Sequence, residues 1–226
     1  QQSAMDSLRL TGLGSLQMLV EGTEDILSYL TRGNRERFDQ GTQRLREVAT
    51  GETGGASLDA RWVASHLLSF ASIAEAGSPW NLAVLPPEVP VAVRQAFTVG
   101  SPAVLTLWEP QRELFTGAQS PFSQDVKRMV LSVPTSGGKT LLAQLLATAH
   151  LAQTDMGVCF VVPTRSLGRE IRRAMGTRVR ILQKEVSAEK PDFSAWLEAL
   201  GLFAPELEQA EIDVMTPERL SHLLRN

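Results

Sequence analysis

The sequence predicts an α/β fold for its second half, a parallel β-sheet with helices on both faces, and a mainly α-helical domain before it. Two observations lead to this prediction. In residues 101–226, short apolar segments alternate with segments of helical length, which is typical of strand–helix–strand units. In residues 1–100, apolar side chains instead recur at three- and four-residue intervals, the period of an amphipathic helix. We therefore expect two domains with a boundary near residue 100.

Glycines interrupt the apolar pattern at the start of the N-terminal domain. Residues 7–30 are interpreted as two short helices, because Gly12, Gly14 and Gly22 fall among the apolar positions and glycine weakens a helix interior. A polar helix with many charged side chains is predicted at residues 34–48.

The next helix has a recognisable start. Its predicted N-cap is Ser57 or Asp59, since both side chains can accept hydrogen bonds from free backbone N–H groups, and the helix is expected to extend to residue 76. One apolar stripe should face the core, and it consists of Val63, Leu67, Phe70 and Ala74. Residues 78–90 contain four prolines and are predicted to form a connector, followed by a short helix at 91–97.

The second half alternates between strand-like and helix-like segments. The predicted strands are residues 127–133, 157–162, 178–182 and 212–215. The predicted helices are one toward the end of residues 104–115, then residues 141–151, 167–175 and 195–202, and a closing helix after Thr216 and Pro217. In such a fold, ligands bind at the carboxyl ends of the parallel strands.

Composition and charge exclude several classes of protein. The 226-residue chain has a net charge of −3 and no apolar segment near the roughly 20 residues of a membrane-spanning helix. Its single cysteine, Cys159, excludes an internal disulfide and a cysteine metal cluster, which fits a reducing, cytoplasmic location without membrane contact. Positive charge is concentrated in one segment that holds Arg165, Arg169, Arg172, Arg173, Arg178 and Arg180. These arginines form either part of a track for phosphates or a solvated helix face.

A glycine-rich turn between the first predicted strand and the following helix has the composition of a phosphate-binding loop. Gly137 and Gly138 allow backbone N–H groups to point inward, and Lys139 and Thr140 begin a helix whose positive end faces the phosphates. Lys139 would contact the β- and γ-phosphates, and the Thr140 hydroxyl would bind Mg²⁺. Val133 stands where the usual pattern has its first glycine, so an ordinary strand-to-helix turn is the alternative.

Two later turns follow predicted strands and carry similar chemistry. Residues 163–167 (Pro-Thr-Arg-Ser-Leu) and 216–220 (Thr-Pro-Glu-Arg-Leu) each combine a hydroxyl, a guanidinium and the free N–H groups of a helix start. Such groups bind backbone phosphates without contacting bases. Because both turns are expected at the carboxyl ends of parallel strands, they should share one sheet edge with the phosphate loop. The alternative is two plain helix starts with a nearby proline.

With these three turns in this order, residues 104–226 resemble the first RecA-like domain of a superfamily 2 helicase of the DEAD/DEAH kind. Residues 134–140 resemble motif I, residues 163–167 motif Ia and residues 216–220 motif Ib. Residues 108–111 resemble the Q motif, whose glutamine makes paired hydrogen bonds to adenine; a glutamine that only caps its helix is the alternative.

The resemblance implies a set of site residues. ATP and Mg²⁺ would be bound by Gln111, Pro134, Thr135, Ser136, Gly137, Gly138, Lys139 and Thr140. Lys139 and Thr140 would be the catalytic residues, with the Thr140 hydroxyl as the Mg²⁺ ligand. The nucleic-acid backbone would be bound by Thr164, Arg165, Ser166, Thr216 and Arg219.

One motif of the family is missing. The acidic motif II should follow motif Ib, but the sequence ends at Asn226 before any matching residues. We therefore expect an N-terminal fragment that is nearly inactive alone, within a parent that acts as an ATP-dependent helicase or translocase together with its remaining helicase domains. Its partner would be nucleic acid, with DNA favoured over RNA. The alternative is that residues 1–100 dock a partner protein and are attached to a P-loop ATPase outside the helicases.

Overall fold

Contacts between Cα atoms divide the chain into two units. The computed structural model describes residues 2–52, 55–117, 120–123, 125–132, 138–154, 156–188 and 212–225, with only the backbone described for residues 2–12 and 183–188. The first unit comprises Gln1–Leu85 and Leu105–Arg112, and the second comprises Pro86–Val104 and Glu113–Asn226. This division differs from the boundary near residue 100, because residues 86–100 group with the second unit and residues 105–112 with the first.

The described residues form mostly helices, with one small sheet. The helices are α1 (Gln2–Arg32), α2 (Arg35–Thr50), α3 (Leu58–Gly77), α4 (Val91–Thr98), α5 (Glu109–Thr116), α6 (Lys139–Gln153), α7 (Arg165–Ala188) and α8 (Pro217–Leu223). The strands are β1 (Val158–Val161) and β2 (Ile212–Met215). Across the described part of the chain, no helix combines the length and the apolar character needed to cross a membrane.

α1 is one continuous helix, so the prediction of two short helices over residues 7–30 is wrong. Gly22 lies where α1 crosses α2. A Cβ at Gly22 would lie 3.0 Å from the carbonyl oxygen of Gly41, and a Cβ at Gly41 would lie 2.7 Å from that of Gly22. The two glycines let the helix backbones approach closely, and this packing outweighs the roughly 1 kcal/mol that a glycine costs in a helix interior.

α2 confirms its prediction and is attached to α1 by ion pairs. Asn34 is its N-cap, with Oδ1 accepting a hydrogen bond from the Arg37 N–H at 3.1 Å. The buried carboxylate of Asp25 on α1 pairs with Arg44, and with Arg37 at 3.5 Å. The apolar core between α1, α2 and α3 includes the fully buried side chains of Leu30, Leu45, Val48 and Ala64.

α3 begins after Ser57, as predicted, with Ser57 Oγ accepting a hydrogen bond from the Ala60 N–H at 3.1 Å. Its buried side chains are small ones, Ala60, Ala64, Ala71 and Ala74. Of the predicted stripe, Ala74 is buried and Leu67 packs against the core. Val63 and Phe70 are 39% and 54% exposed, so the prediction is wrong for these two. α3 carries apolar residues on two sides, and close packing selects the side with the small ones.

Residues 78–90 contain no α-helix, as predicted, and they lead away from a well-anchored helix end. The Trp80 ring packs against Gly33, where an added Cβ would lie 2.3 Å from the nearest ring atom.

The Leu107 N–H donates to the Gly77 carbonyl at 2.7 Å, and Arg112 Nη1 donates to the Ala76 carbonyl at 3.0 Å. These bonds attach residues 105–112 to the end of α3.

The second unit contains a parallel strand pair. The register places Val158 opposite Ile212 and Val161 opposite Met215, so the strands predicted at 157–162 and 212–215 are confirmed. α6, predicted at 141–151, is also confirmed. The core beside the sheet consists of Ala147 from α6, Ile171 and Met175 from α7, and Val162 and Val214. This part of the chain is consistent with the α/β prediction.

Two predicted strands are absent from the described residues. Residues 178–182 lie inside α7, where Met175, Val179 and Leu182 are buried at helical spacing. Residues 127–132 form neither strand nor helix, and Val130 is 97% exposed. An extended segment becomes a strand only beside a backbone that supplies hydrogen bonds, and among the described residues the sheet consists of β1 and β2. The helix predicted at 195–202 lies outside the described residues.

Candidate nucleotide and nucleic-acid sites

α6 begins directly after Gly138, at the end of the predicted phosphate loop. Gly138 has φ 75° and ψ 27°, a left-handed conformation that glycine adopts without steric cost, and the helix starts at the next residue. Lys139 and Thr140 lie in the first turn, where Lys139 is exposed and Thr140 is half-buried. The predicted contacts of Pro134, Thr135, Ser136 and Gly137 fall on positions outside the described residues.

The start of α6 has the donor groups of an anion site. The first N–H groups of a helix have no partner within the helix, and the helix dipole makes this end positive. α6 is held in place by the buried side chains of Leu142 and Leu145. A left-handed glycine, the N–H groups of a first helical turn, an ammonium and a hydroxyl together fit the phosphates and Mg²⁺ of ATP. Gly138, Lys139 and Thr140 can therefore hold the phosphates and Mg²⁺ of ATP. Their contacts with ATP and Mg²⁺ stay a prediction.

The starts of α7 and α8 lie at the same edge of the sheet. β1 and β2 end in register, and the Val162 N–H donates to the Met215 carbonyl at 2.9 Å. Because parallel strands run in the same direction, the turns that follow them emerge together. The structure thereby brings the predicted nucleic-acid residues Arg165, Thr216 and Arg219 around one cleft of about 570 Å³.

Four arginines line this cleft, which we call the arginine cleft. Arg165, Arg169 and Arg172 come from the first two turns of α7, and Arg219 comes from α8. The other lining residues are Val162, Gly168, Val214, Met215 and Thr216. No carboxylate lines the cleft within the part of the chain that the structure describes, so the cleft attracts anions.

Arg169 and Arg172 were not in the set of nucleic-acid residues implied by the resemblance, although the sequence placed them in a segment that is either part of a phosphate track or a solvated face. They follow Arg165 by four and seven positions, which places all three on one side of a helix. That spacing was the available signal in the sequence. Arg172 Nη2 donates to the Val214 carbonyl at 2.9 Å, so this side chain also fixes α7 to β2.

Thr164 and Ser166 stabilise the start of α7 and do not line the arginine cleft. Thr164 Oγ1 accepts a hydrogen bond from the Leu167 N–H at 3.3 Å and lies 3.1 Å from Ser166 Oγ. Thr164 therefore caps the helix, and the predicted contacts of both hydroxyls with nucleic acid stay a prediction.

At the start of α8, Thr216 is the N-cap and Pro217 lies at the beginning of the helix, which is the plain helix start that stood as the alternative. The pKa of the Glu218 carboxyl is lowered first by a hydrogen bond from its own backbone N–H, then by one from the Thr216 hydroxyl, and least by the charge of Arg165. Glu218 is thus ionised at neutral pH, and its charge stabilises the helix N-terminus.

Arg178 does not belong to the exposed arginines of α7. Only 3% of it is exposed, and burial lowers its pKa to about 10, so it stays charged at neutral pH. The arginine-rich segment is therefore neither a single track for phosphates nor a single solvated helix face. The rotation between successive residues of α7 places Arg178 in the core.

Gln111 is buried in the first unit, where its Oε1 accepts a hydrogen bond from the Trp108 N–H at 3.0 Å. This is the capping arrangement that stood as the alternative to a Q motif. Its contact with adenine stays a prediction.

A family model described as DEAD/DEAH box helicase matches residues 110–226, which is more than half of the chain. The chain belongs to the DEAD/DEAH box helicase family. The matched region includes the start of α6, β1, β2 and the arginine cleft. Membership of this family confirms the resemblance and decides against a P-loop ATPase outside the helicases.

Two relatives are similar at lower identity. The chain is 26% identical over 139 residues to ATP-dependent DNA helicase Hel308 of Thermococcus kodakarensis. The aligned residues make up 62% of this chain and 11% of that protein. It is 22% identical over 207 residues to Hachiman protein HamB of Bacillus cereus. Here the aligned residues make up 89% of this chain and 18% of that protein. The chain thus spans less than a fifth of the length of either relative. No solved structure matches the chain.

Proposed function

We propose that this chain contains the first, RecA-like motor domain of an ATP-dependent helicase or translocase, preceded by a helical domain. Family membership supports a helicase-type ATPase. The observation that carries the proposal is the arginine cleft, where two helix starts place Arg165, Arg169, Arg172 and Arg219 around one space. Guanidinium groups donate several hydrogen bonds in one plane, which suits phosphate oxygens. Such a cleft suits a polyanion bound through its backbone.

In this proposal the start of α6 binds ATP with Mg²⁺. The first-turn N–H groups stabilise phosphate charge, Lys139 adds an ammonium at the β- and γ-phosphates, and the Thr140 hydroxyl holds Mg²⁺. Gln111 and residues 134–138 complete the set of nucleotide contacts that we propose. The bound nucleotide supplies the phosphoanhydride bond whose hydrolysis drives movement along nucleic acid.

The arginine cleft binds the nucleic-acid strand through its phosphates. Thr164 and Ser166 lie outside the lining of the cleft, at the start of α7, and are proposed as further hydrogen-bond donors to the same strand. Backbone contacts give affinity without reading sequence. We propose single-stranded DNA as the strand, because one relative is described as a DNA helicase.

The activity resides in a longer protein, since the chain covers only 11% and 18% of the two relatives. In the family, a second motor domain supplies arginines that stabilise the transferring phosphate, and an arginine of this kind is worth roughly 10³–10⁵ in rate. We therefore expect residues 1–226 alone to hydrolyse ATP near the background rate, and the complete protein to hydrolyse it with stimulation by DNA.

The salt dependence of DNA binding tests the arginine cleft. In the complete protein, Arg165→Gln or Arg169→Gln should each reduce the slope of log affinity against log salt by about 0.7 for single-stranded DNA, because one phosphate contact fewer releases fewer counterions. The affinities are measured by fluorescence anisotropy of a labelled oligonucleotide over a range of salt concentrations, with an RNA oligonucleotide of the same sequence in parallel.

Arg173→Gln is the matched control, since Arg173 is an exposed arginine of α7 outside the lining of the arginine cleft. This control should keep the wild-type slope. If Arg165→Gln and Arg169→Gln also kept it, the cleft would not bind phosphates. Tighter binding of the RNA oligonucleotide would contradict the choice of DNA.

Replacement of Lys139 tests the nucleotide site. Lys139→Ala should reduce DNA-stimulated ATP hydrolysis by the complete protein to near background, because the ammonium at the phosphates is lost. Lys127→Ala, which removes an exposed lysine outside the loop, should keep the wild-type rate. Equal rates for the two variants would contradict the assignment of the loop.

We also propose that α3 of the first unit docks a partner protein through an apolar, uncharged surface. Trp62, Phe70 and Ile73 are 62%, 54% and 75% exposed, and residues 62–73 contain no Asp, Glu, Lys or Arg. An exposed apolar face of this kind indicates contact with another apolar surface. Lys139→Ala should leave such docking intact, whereas Phe70→Glu combined with Ile73→Glu should abolish it. Docking that persists in the latter variant contradicts the role of α3.

A further inference from the structure

Arg178 is a charged side chain whose contacts, in the residues that the structure describes, are all with neutral groups. Its Nε donates to Gln144 Oε1 at 3.2 Å, and its Nη1 donates to the Ala96 carbonyl at 3.2 Å. The guanidinium carbon lies 3.8 Å from the centre of the Phe97 ring, within the range of a cation–π contact. Arg178 thus contacts three helices at once, since Ala96 and Phe97 are on α4, Gln144 is on α6, and Arg178 itself is on α7.

Burying a cation without a carboxylate is costly, and apolar residues of similar size often replace buried ionic groups without loss of stability. The nearby buried positions of α7 are apolar, namely Met175, Val179 and Leu182. Arg178 differs from these neighbours in one respect: its hydrogen bonds have fixed geometry, so they define how far α7 is shifted and rotated relative to α6.

The two helices that Arg178 connects begin at the two proposed binding sites. α6 starts at Lys139, five residues before Gln144, and α7 starts at Arg165 in the arginine cleft. Helices move as rigid elements, so a displacement at either start reaches the Arg178–Gln144 hydrogen bond. Apolar contacts alone tolerate small sliding, whereas the hydrogen bonds to Gln144 and Ala96 are lost when the helices shift.

We propose that Arg178 is a positioning residue that couples nucleotide binding at the start of α6 to nucleic-acid binding at the start of α7. The inference rests on the proposed function, because it requires both sites. It adds to that function a residue that contacts neither ligand. If Arg178 were only part of the core, its replacement would change stability and leave the two sites as strongly coupled as before.

The coupling is measured in the complete protein as the ratio of two dissociation constants for a fluorescein-labelled single-stranded DNA, one without nucleotide and one with a non-hydrolysable ATP analogue and Mg²⁺. In the wild-type protein we expect the two dissociation constants to differ by at least about fivefold, in either direction, which is the lower end of typical allosteric coupling. In Arg178→Met the ratio should fall to within about twofold of one, while the affinity for DNA without nucleotide is retained. Arg173→Met is the matched control and should keep the wild-type ratio.

Thermal unfolding of each variant accompanies these measurements. If Arg178→Met does not fold, Arg178→Lys retains the charge but has a single donor group in place of the planar fork, and it should show a reduced ratio in a folded protein. A wild-type ratio in a folded Arg178 variant overturns the coupling role, whatever the change in melting temperature. A wild-type protein that binds neither DNA nor the ATP analogue overturns the proposed function itself.

Discussion

At the scale of single residues, arginines close together in α7 lie in different environments. Arg165 and Arg169 line the arginine cleft, Arg172 donates a hydrogen bond to the Val214 carbonyl, and Arg178 is buried against Phe97. Each step along a helix rotates the side chain by about 100°, so chemically identical residues face different neighbours. The role of each arginine is therefore set by its position around the helix axis.

Two glycines of the first unit should respond in opposite directions to the same substitution. Gly14→Ala is expected to stabilise the protein by about 0.5–1 kcal/mol, because Gly14 lies within α1 with no atom within 4 Å of an added Cβ. Gly41→Ala should destabilise it by about 1–3 kcal/mol, since the new Cβ would lie 2.7 Å from the Gly22 carbonyl oxygen. Chemical denaturation of both variants measures the two free energies of unfolding, and a stabilised Gly41→Ala protein would contradict the close crossing of α1 and α2.

At the scale of elements, α7 contains a segment that was predicted to be a strand. Residues 178–182 alternate between polar and apolar side chains, which predicted a strand. The positions of Ile171, Met175, Val179 and Leu182 instead follow the four- and three-residue spacing of one helix face, and all four are buried. A longer window would have identified the helix, because a five-residue alternation is too short to separate the two periods.

The start of α8 should be sensitive to acid. The pKa of Glu218 is lowered in the folded protein, so the ionised carboxyl stabilises the helix start above its unfolded pKa, and this contribution is lost as the pH falls through the folded pKa. Thr216→Val should raise the pKa of Glu218 toward its ordinary value, because the hydroxyl donor is removed. An NMR titration of the Glu218 carboxyl measures this. Arg165→Gln should cause a smaller rise, since the charge of Arg165 is the weaker cause, and the reverse order would contradict the hydrogen bond.

At the scale of the whole molecule, the chain passes from the first unit to the second and back. Residues 86–104 group with the second unit, and residues 105–112 rejoin the first through the bonds of Leu107 and Arg112 to the end of α3. The helix α5 consequently begins in one unit and ends in the other.

Deletion of residues 1–85 should therefore affect the two units differently. The Leu107 amide loses its acceptor, the Gly77 carbonyl, and is expected to exchange its hydrogen with solvent much faster. The amide of Met175, in the core of the second unit, should keep its protection because its neighbours remain. Hydrogen exchange followed by mass spectrometry compares the two positions. Loss of protection at both would show that the second unit does not retain its core alone.

Features that depend on local chemistry could be predicted from the sequence. Asn34 and Ser57 start α2 and α3, Gly138 precedes α6, and Pro217 begins α8, because capping and backbone conformation involve only neighbouring residues. The motifs around these turns also identified the family. Tertiary structure alone decided that Gly22 lies at a helix crossing, that alanines form the buried side of α3, and that residues 127–132 form no strand. It also decided which side chains line the arginine cleft: a shared sheet edge for the two turns was predicted, but the lining by Arg169 and Arg172 follows from how α7 and α8 are placed by β1 and β2.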